Sequence, residues 1–436
     1  MPRMRAELPS MVSRARTAIR KAIGEKQLTR IPKVETHLVF AILALGASLH
    51  WSSSALDDSW LHEAKKMLDL WEPAPSGSDV ITYAYFHHAV IYWKMLVCAA
   101  SSGFKHDDLE RKRHEVRGRL HKAMFPGREP IPSSPTSLST AFQPFGGTRP
   151  SSWCGVSGEV IDLYGQVLVL CRSGRSKHRL RVGYSAEGAL DTLADVTIAH
   201  EIHAELKSMN FADTISLDAI LGFPVSTDDA STPISHLIQT AEAYRQAALL
   251  QIYMAFDDVL IEDTTQSGVS TRRELLVGLA IHILDILHGI PLESGSRSIH
   301  PMLYFSAATA LAYDTDVSIQ HFSAEPPSQT TALDETTIEP SIFRATDPSN
   351  IDLTGSDPTL ESSFTLSGVS LHVAKARRTV GMRMSILQHI LPARPIEIML
   401  SLLKKIWSIY DEETSTTKTA HWLDMLTDSG VQTLFR

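Results

Sequence analysis

The residues of this chain with the clearest capacity for chemistry are His200, Glu201 and His203, in the run His-Glu-Ile-His. In a zinc protease helix, two histidines four residues apart share one face and a glutamate activates the bound water. Here the histidines are three residues apart, with Glu205 nearby, so the run keeps some metal-binding capacity without the protease spacing. A metal-dependent hydrolase is therefore one hypothesis, and a structural helix over Ala189–Asn210 is the interpretation that we favour.

Two further groups of histidines raise the same question. His282, Asp285 and His288 recur every three residues along a predicted helix, a spacing that can present ligands to one ion. His87 and His88 are adjacent, and adjacent residues on a helix point about 100° apart, so the two cannot easily bind one ion. We predict packing or surface roles for both groups, and no metal site.

The segment Gly155–Glu159, Gly-Val-Ser-Gly-Glu, is similar to the nucleophile elbow G-x-S-x-G of hydrolases. Its fifth residue is Glu159 rather than glycine, and the residues before Ser157 indicate a loop instead of the buried strand that the elbow requires. Ser157 is placed to cap a helix, with Glu159 adding a favourable charge to the first turn. We therefore predict no catalytic residue, no cofactor and no enzymatic activity.

Cysteine usage and charge bear on other classes of function. Cys98, Cys154 and Cys171 are far apart and form no C-x-x-C pair, which argues against a disulfide scaffold and a cysteine zinc site. No apolar run reaches the roughly 20 residues of a membrane-spanning helix, and no membrane partner is expected. The net charge is −8, yet residues 1–33 hold nine basic residues against two acidic ones. Because DNA affinity depends on neutralising phosphates, any DNA contact is expected indirectly or weakly through this N-terminal segment.

The elements that must position these residues are helices. The strongest pattern spans Ser231–Leu260, where Thr232 is placed as N-cap and Pro233 as the first helical residue. From Ala247 to Phe256 the only polar side chain is Gln251, apart from the Tyr253 hydroxyl, which is typical of a helix in the middle of a bundle. The apolar positions recur every three or four residues, at Leu237, Ala241, Tyr244, Ala248, Ile252 and Ala255.

Similar periodicity predicts helices along the rest of the chain, with proline and glycine marking the turns between them. The predicted helices are Met11–Ile23, Val34–His50, Ser59–Leu70, Ile81–Ala100, one beginning near Ser157, Ala189–Asn210, one capped by Ser270 and stopped at Gly289, Ser306–Tyr313, and Ile396–Tyr410. The predicted fold class is all-α: a multi-helix bundle of antiparallel helical hairpins with one long disordered acidic insertion.

Composition suggests the domain organisation. Residues 1–33 form a basic N-terminal segment, for which a solvated linker and a mitochondrial presequence both remain open, and residues 34–436 form the helical domain. Residues 126–152 are rich in Pro, Ser, Thr and Gly and are predicted to be a loop. Residues 321–368 carry eight acidic residues against the single Arg344 and only isolated apolar residues, so disorder is expected. This segment fits either a transcriptional activation segment or a tolerated surface insertion.

Several short motifs occur in an order that resembles one family. Trp153–Arg172 combines a tryptophan, a Gly-Val-Ser helix start and a Leu-Cys-Arg helix end; Ala241–Tyr253 follows; Trp407 and Trp422 lie near the C-terminus. Together, over about residues 34–436, they resemble the fungal-specific regulatory domain of zinc-cluster transcription factors, in the branch of acriflavine-sensitivity and sterol-uptake regulators.

This resemblance implies an all-helical regulatory domain of a nuclear transcription factor that controls RNA polymerase II transcription. Its implied partners are transcriptional coregulators or a second copy of the chain, with a small-molecule effector between helices. The family carries a separate DNA-binding module of six cysteines and two zinc ions. Three scattered cysteines cannot build that module, so the resemblance implies that it is missing from this chain and that residues 1–33 are a remnant beside it. A helical-repeat interaction scaffold without a DNA connection is the alternative.

Overall fold

The structure is a computed structural model of the 436-residue chain. It describes residues 2–27, 36–52, 58–71, 78–101, 103–124, 150–180, 186–222, 225–259, 272–313, 368–412 and 421–423. The prediction of an all-α fold is confirmed, and these residues contain no strand. Residues 321–367 of the predicted disordered insertion 321–368 and most of the predicted loop 126–152 lie outside the described residues.

The helices follow one another along the chain with short described turns between several of them. In order they are α1 (Pro2–Gln27), α2 (Thr36–Ser52), α3 (Ser59–Asp69), α4 (Ser78–Ala100), α5 (Asp107–Met124), α6 (Gly158–Leu180), α7 (Ala186–Ser208), α8 (Phe211–Ile220), α9 (Ile234–Ala255), α10 (Arg272–His288), a 3₁₀-helix (Gly295–Ile299), α11 (Pro301–Ala308), α12 (Gly368–Ile390) and α13 (Ala393–Glu412). The prediction Ser306–Tyr313 was wrong, because Pro301 begins α11 and Thr309 ends it.

Helix α9 is the central helix of the bundle, as predicted. Twelve of its residues are buried, including five of the six predicted apolar positions; Ala255 is half-buried. The predicted N-cap was wrong. Pro233 is the N-cap residue, and Thr232 donates instead to the Asp229 carboxylate at 2.7 Å and accepts from the Gly295 backbone N–H at 2.7 Å. Its hydroxyl therefore fastens the start of α9 to the turn before the 3₁₀-helix.

Helices α6 and α9 pack side by side and run in the same direction. The buried rings of Tyr164 and Tyr244 meet edge to face with centroids 5.9 Å apart. About three turns further along both helices, Gly174 lies against the ring of Phe256. Because both contacts advance together along the two chains, the helices are parallel.

Helices α4 and α6 are also parallel. Lys94 pairs with Asp162 near the first turns of the contact, and Arg172 reaches the carbonyl of Cys98 further along both helices. Parallel neighbours need a long connection, and here α5 lies between α4 and α6 in the chain. Antiparallel hairpins of consecutive helices place alternate helices parallel, so this contact is compatible with the predicted hairpins.

Other neighbours are antiparallel, as the sequence indicates for consecutive helices. Arg272 at the start of α10 donates to the carbonyl of Met254 at the end of α9. At the opposite end, Gly289 lies beside the side chain of Gln239 in the first turns of α9. Helix α10 therefore returns along α9 and closes that side of the bundle.

Helix α1 packs on a smaller second core formed with α2, α3 and α4. Ile19 and Ile23 are buried in the same cluster as Trp60, and the Arg20 guanidinium lies over the Trp60 ring, 5.6 Å from its centroid. Met11–Ile23 was predicted as a short helix, but α1 extends from Pro2 to Gln27. Because its apolar face is covered, this part of the chain is not a linker surrounded by solvent. The predicted division after residue 33 stays a prediction.

Within the described part of the chain, no helix combines the length and apolar content needed to cross a membrane.

Candidate regulatory core

The turn before α6 explains the glycine of the Trp-Cys-Gly-Val-Ser motif. Gly155 has a φ of +52°, a conformation that favours glycine. A Cβ atom built there would lie 2.4 Å from the side chain of Leu237 on α9. The motif therefore serves close packing of this turn against the central helix.

Ser157 does not act as the sequence predicts. Its carbonyl accepts from Ile161 N at 2.9 Å and so begins the hydrogen bonding of α6, but its hydroxyl is buried without a hydrogen-bond partner among the described residues. The prediction of a capping hydroxyl was wrong. No described base or acid contacts this hydroxyl, so the geometry offers no route to a serine nucleophile.

A charged cluster joins α4, α5 and α6. The Lys94 ammonium lies 2.8 Å from Asp162, and His106 lies 3.3 Å from the same carboxylate oxygen. Asp108 is 3.6 Å from Lys94. Burial alone would raise the pKa of Asp162, but the hydrogen bond with His106 and the charges of His106 and Lys94 hold that pKa well below its usual range.

This cluster includes the one group of described residues whose ligand atoms come close enough for a metal ion: His106, Asp108 and Asp162. Lys94 already supplies a cation to both carboxylates at the same place. A metal ion would compete with that ammonium group, so the arrangement fits a structural ion cluster that positions α5 against α4 and α6. These residues are not among the candidate sites predicted from the sequence.

Gln251 of α9 links three other parts of the bundle: α6, α11 and the C-terminal residues 421–423. Its side-chain amide donates to Ser306 at 3.0 Å and accepts from the Trp422 indole at 2.7 Å. The backbone carbonyl of Gln251 accepts from the Cys171 thiol at 3.4 Å. Trp422 is fully buried and packs edge to face on Phe305. Residues 421–423 are therefore packed into the bundle.

Arginine side chains bind carbonyls at the ends of several helices, where the last turn leaves acceptors without intrahelical donors. Positive charge also complements the negative end of a helix. Arg172 donates to three such carbonyls near the end of α4, those of Cys98, Ala99 and Ser101, at 2.6–2.8 Å. The other pairs are Arg245 with Leu206 in the last turn of α7, Arg272 with Tyr253 and Met254 of α9, and Arg377 with Leu311 after α11.

His200, Glu201 and His203 do not converge on a common point. Glu201 forms an ion pair with Arg119 of α5. His203 shares a hydrogen bond of 2.9 Å with the Tyr253 hydroxyl of α9. Glu201 and His203 therefore contact two different neighbouring helices, α5 and α9.

That contact with α5 is an antiparallel ladder of ion pairs. Its members are Lys112 with Glu205, Arg113 with Asp195, Arg117 with Asp191, and Arg119 with Glu201. The basic residues of α5 are therefore largely matched by acidic residues of α7, and the pair of helices does not form a basic surface.

The remaining histidine groups also act in packing. His288 lies 2.9 Å from the Arg383 guanidinium on α12, while Asp285 is exposed to solvent. His88 is buried and packs edge to face on Trp153, and burial lowers its pKa to about 3. His87 stacks instead on Tyr83. These placements match the predicted packing and surface roles.

Two concave sites lie on the described surface. A groove of about 720 Å³ follows the ion-pair ladder between α5 and α7, and a groove of about 330 Å³ lies between α1 and α3. The first is lined almost entirely by charged residues, of which Lys112, Arg119 and Glu201 are paired across the ladder. The second is lined by both apolar and charged side chains.

The described residues therefore form a helical bundle whose helices are joined by buried polar links. The family model of the fungal specific transcription factor domain matches residues 3–321. The chain belongs to this family. The fungal specific transcription factor domain has a role in transcriptional regulation, so the predicted class of protein is confirmed. The match includes α1, which sequence analysis had set apart from the domain.

The matched region of this fungal specific transcription factor domain ends before α12 and α13. These two helices nevertheless pack into the bundle, because side chains from both bind carbonyls at the end of α11. No curated protein and no solved structure matches the chain.

Proposed function

We propose that this chain is a regulatory and effector domain of a nuclear fungal transcription factor that controls RNA polymerase II transcription without enzymatic activity. The family match over residues 3–321 is the observation that carries this proposal. The branch typified by acriflavine-sensitivity and sterol-uptake regulators remains part of the proposal, on the motifs around Trp153 and Tyr244.

In this proposal, DNA is recognised by a module other than the described bundle. Zinc clusters are built from cysteine thiolates, and this chain offers Cys98, Cys154 and Cys171, all buried. Burial raises the pKa of each of these thiols, which disfavours the thiolate that a metal requires. A direct contact with DNA is restricted to α1, whose Arg14 and Lys21 are exposed.

Partner contact is the mode of action that the surface supports best. Leu217, Ile220 and Leu221 are exposed together at the end of α8, at spacings of three and four that place them side by side. Contiguous exposed apolar residues often mark protein interaction sites. The proposed partner is a transcriptional coregulator, and a second copy of the chain is the alternative occupant.

The experiment that tests the proposal tethers the full chain to a DNA-binding module of unrelated specificity upstream of a reporter gene. Reporter output should depart from that of the module alone, upward for an activator or downward for a repressor. The same fusion carrying Leu249→Ala and Ile252→Ala is the control, because both side chains are buried in α9. If the fusion is folded, located in the nucleus and bound at the promoter, and reporter output is nevertheless unchanged, the proposal is contradicted and an interaction scaffold is favoured.

A further inference from the structure

The groove between α1 and α3 combines an apolar floor with an excess of hydrogen-bond donors. Ile23 and Trp60 supply the apolar surface, while Arg20 and Lys66 supply positive charge. Its volume of about 330 Å³ is within the range of small-molecule sites, from roughly 300 to 1,000 Å³. Gly24 leaves open space, because nothing lies within 4 Å of a Cβ atom built there.

Several polar atoms at this helix contact lack partners. The indole N–H of Trp60 has no hydrogen-bond partner among the described residues, although only 2% of Trp60 is exposed. The Nε atom of Arg16, one turn before Arg20 on α1, is also buried without a partner. Glu63, which lines the groove, also has a buried carboxylate oxygen (Oε2) without a partner among the described residues. Buried polar groups in proteins are almost always hydrogen-bonded, and the two unmatched donors outnumber this unmatched acceptor, so they point to a ligand that accepts hydrogen bonds.

The first turn of α3 adds to this positive environment. Ser59 and Trp60 begin the helix and line the groove, so the positive end of the α3 dipole faces it. The preceding residue, Asp58, makes no side-chain capping hydrogen bond. Helix starts of this kind favour anions, and here the unmatched indole N–H independently points to an acceptor.

We infer that this groove binds a small organic carboxylate, with its acid group at Arg20 and the Trp60 indole N–H and its apolar body against Ile23. The Arg20 guanidinium already lies over the Trp60 ring, so it can bind a carboxylate without a large movement of α1. Glu63 is the one acidic group that lines the groove, and its carboxylate lies 3.5 Å from Lys66. That pairing leaves Arg20 as the cation for the ligand.

Occupation of the groove would join α1 to α3 and so stabilise the smaller N-terminal core. That a ligand in this groove regulates the protein rests on the proposed regulatory function, whereas the binding of a ligand there does not. If the binding experiment fails, the regulatory proposal still stands. If the tethered reporter shows no effect, the inference that the groove binds a carboxylate still stands.

The test uses 4-fluorobenzoate as the probe and fluorine NMR line broadening as the measurement, on the full chain. Millimolar 4-fluorobenzoate should bind, 4-fluorobenzamide should bind at least tenfold more weakly because it lacks the charge, and inorganic phosphate should not displace the probe because it has no apolar body. Equal binding of the acid and the amide, or no binding of the acid, would overturn the inference.

Variants locate the probe in the groove. Gly24→Leu should abolish binding by filling the open space, whereas Gly24→Ala, which adds one methyl group, is its matched control. Arg20→Gln should weaken binding about tenfold, and Glu63→Gln should strengthen it, because it removes the like charge. Circular dichroism confirms that each variant is folded. Unchanged affinity in both Gly24→Leu and Arg20→Gln would place the probe elsewhere and overturn the assignment.

Discussion

Arg377 and Asp411 form a two-point ion pair that closes the C-terminal part of the bundle. The two terminal nitrogens of the guanidinium lie 2.8 and 2.9 Å from the two carboxylate oxygens, and Nε donates to the Leu311 carbonyl at 2.9 Å. The guanidinium also stacks over the rings of Tyr313 and Trp407, at 4.2 and 5.0 Å from their centroids. One arginine therefore joins α12, α13 and the end of α11.

The first prediction concerns this arginine. Arg377→Ala should lower the free energy of unfolding by about 1–3 kcal/mol, because the Leu311 carbonyl loses its donor. Asp411 is partly exposed, so the ion pair itself should contribute little. Urea denaturation measures the change. The matched control is Arg378→Ala, at the exposed neighbouring residue, which should change stability by no more than about 0.5 kcal/mol. Equal midpoints for the two variants would show that Arg377 does not join these helices.

The second prediction concerns the central helix. Ile252→Ala or Leu249→Ala should cost about 2–5 kcal/mol, because each removes a large buried side chain and leaves a cavity. Tyr244→Ala should be comparably harmful, since its hydroxyl also donates to the Ile299 carbonyl at 2.6 Å. Thermal unfolding measures these effects, with Ser235→Ala at an exposed α9 position as control. Melting of all three core variants within a degree or two of the parent would contradict the central position of α9.

The third prediction concerns His200, Glu201 and His203. The triple alanine variant should stay folded and keep its reporter output near that of the parent, because the residues contact neighbouring helices rather than a shared ligand. The half-exposed Glu201–Arg119 pair should contribute no more than about 1 kcal/mol. Metal analysis of purified protein is the second measurement. Stoichiometric zinc in the parent that disappears in the triple variant would restore the hydrolase hypothesis.

The fourth prediction concerns pH. His300 is buried between Thr240 and Ser296, with its Nε2 3.2 Å from both hydroxyls. Burial, followed by the charges of His236 and Arg383, lowers its pKa from 6.5 to about 3. Below pH 6.5 the unfolded chain therefore gains a proton that the folded chain does not.

Stability contributed by neutral His300 is present above pH 6.5 and is lost as the pH falls toward 3, by up to about 1.4 kcal/mol per pH unit. The His300→Asn variant should lose less stability than the parent between pH 7 and pH 4.5 in urea denaturation. The exposed His389 provides the control His389→Asn, which should retain the parent's slope. An unchanged slope in His300→Asn would contradict the burial of a neutral imidazole.

The fifth prediction concerns the acidic segment 321–368, which lies outside the described residues. Replacing it with a short glycine-serine linker should leave the melting temperature nearly unchanged, because Arg377 contacts Leu311 and Tyr313 and so joins the flanking helices directly. A large loss of stability would show that the segment contributes to the core.

Its activity is tested by fusing 321–368 to an unrelated DNA-binding module. If the intact fusion activates the reporter and the double variant Phe343→Ala and Phe364→Ala activates it less, the result supports an activation segment. If the intact fusion does not activate the reporter, the result supports a surface insertion.

Helix positions could be predicted from the sequence because burial in a bundle imposes a periodicity of three and four residues. The pairing of helices that are not consecutive in the chain could not be predicted, because periodicity shows which face is buried but not which helix covers it. The parallel contact of Tyr164 with Tyr244 depends on segments that are far apart in the chain.

The residues that form the buried polar links could be recognised in part from the sequence. Gln251 is the one amide in an otherwise apolar run, and Arg377 falls on the same stripe as the buried Val373 and Val380. A polar residue on an apolar stripe needs a buried partner, and such positions can be found by inspection. The partners themselves, Trp422 and Asp411, could not be identified because they are distant in sequence. The N-cap at Thr232 was wrong for the same reason, since Gly295 competes for its hydroxyl.

The most direct test of the account is the occupancy of RNA polymerase II at a promoter to which the full chain is tethered. Chromatin immunoprecipitation of the fusion first establishes that it is bound there. We predict that polymerase occupancy then differs from the occupancy at the same promoter when only the DNA-binding module is bound. This difference should be lost in the fusion with Leu249→Ala and Ile252→Ala. Equal polymerase occupancy with the folded chain and with the module alone, at equal fusion occupancy, would contradict a role in transcriptional regulation.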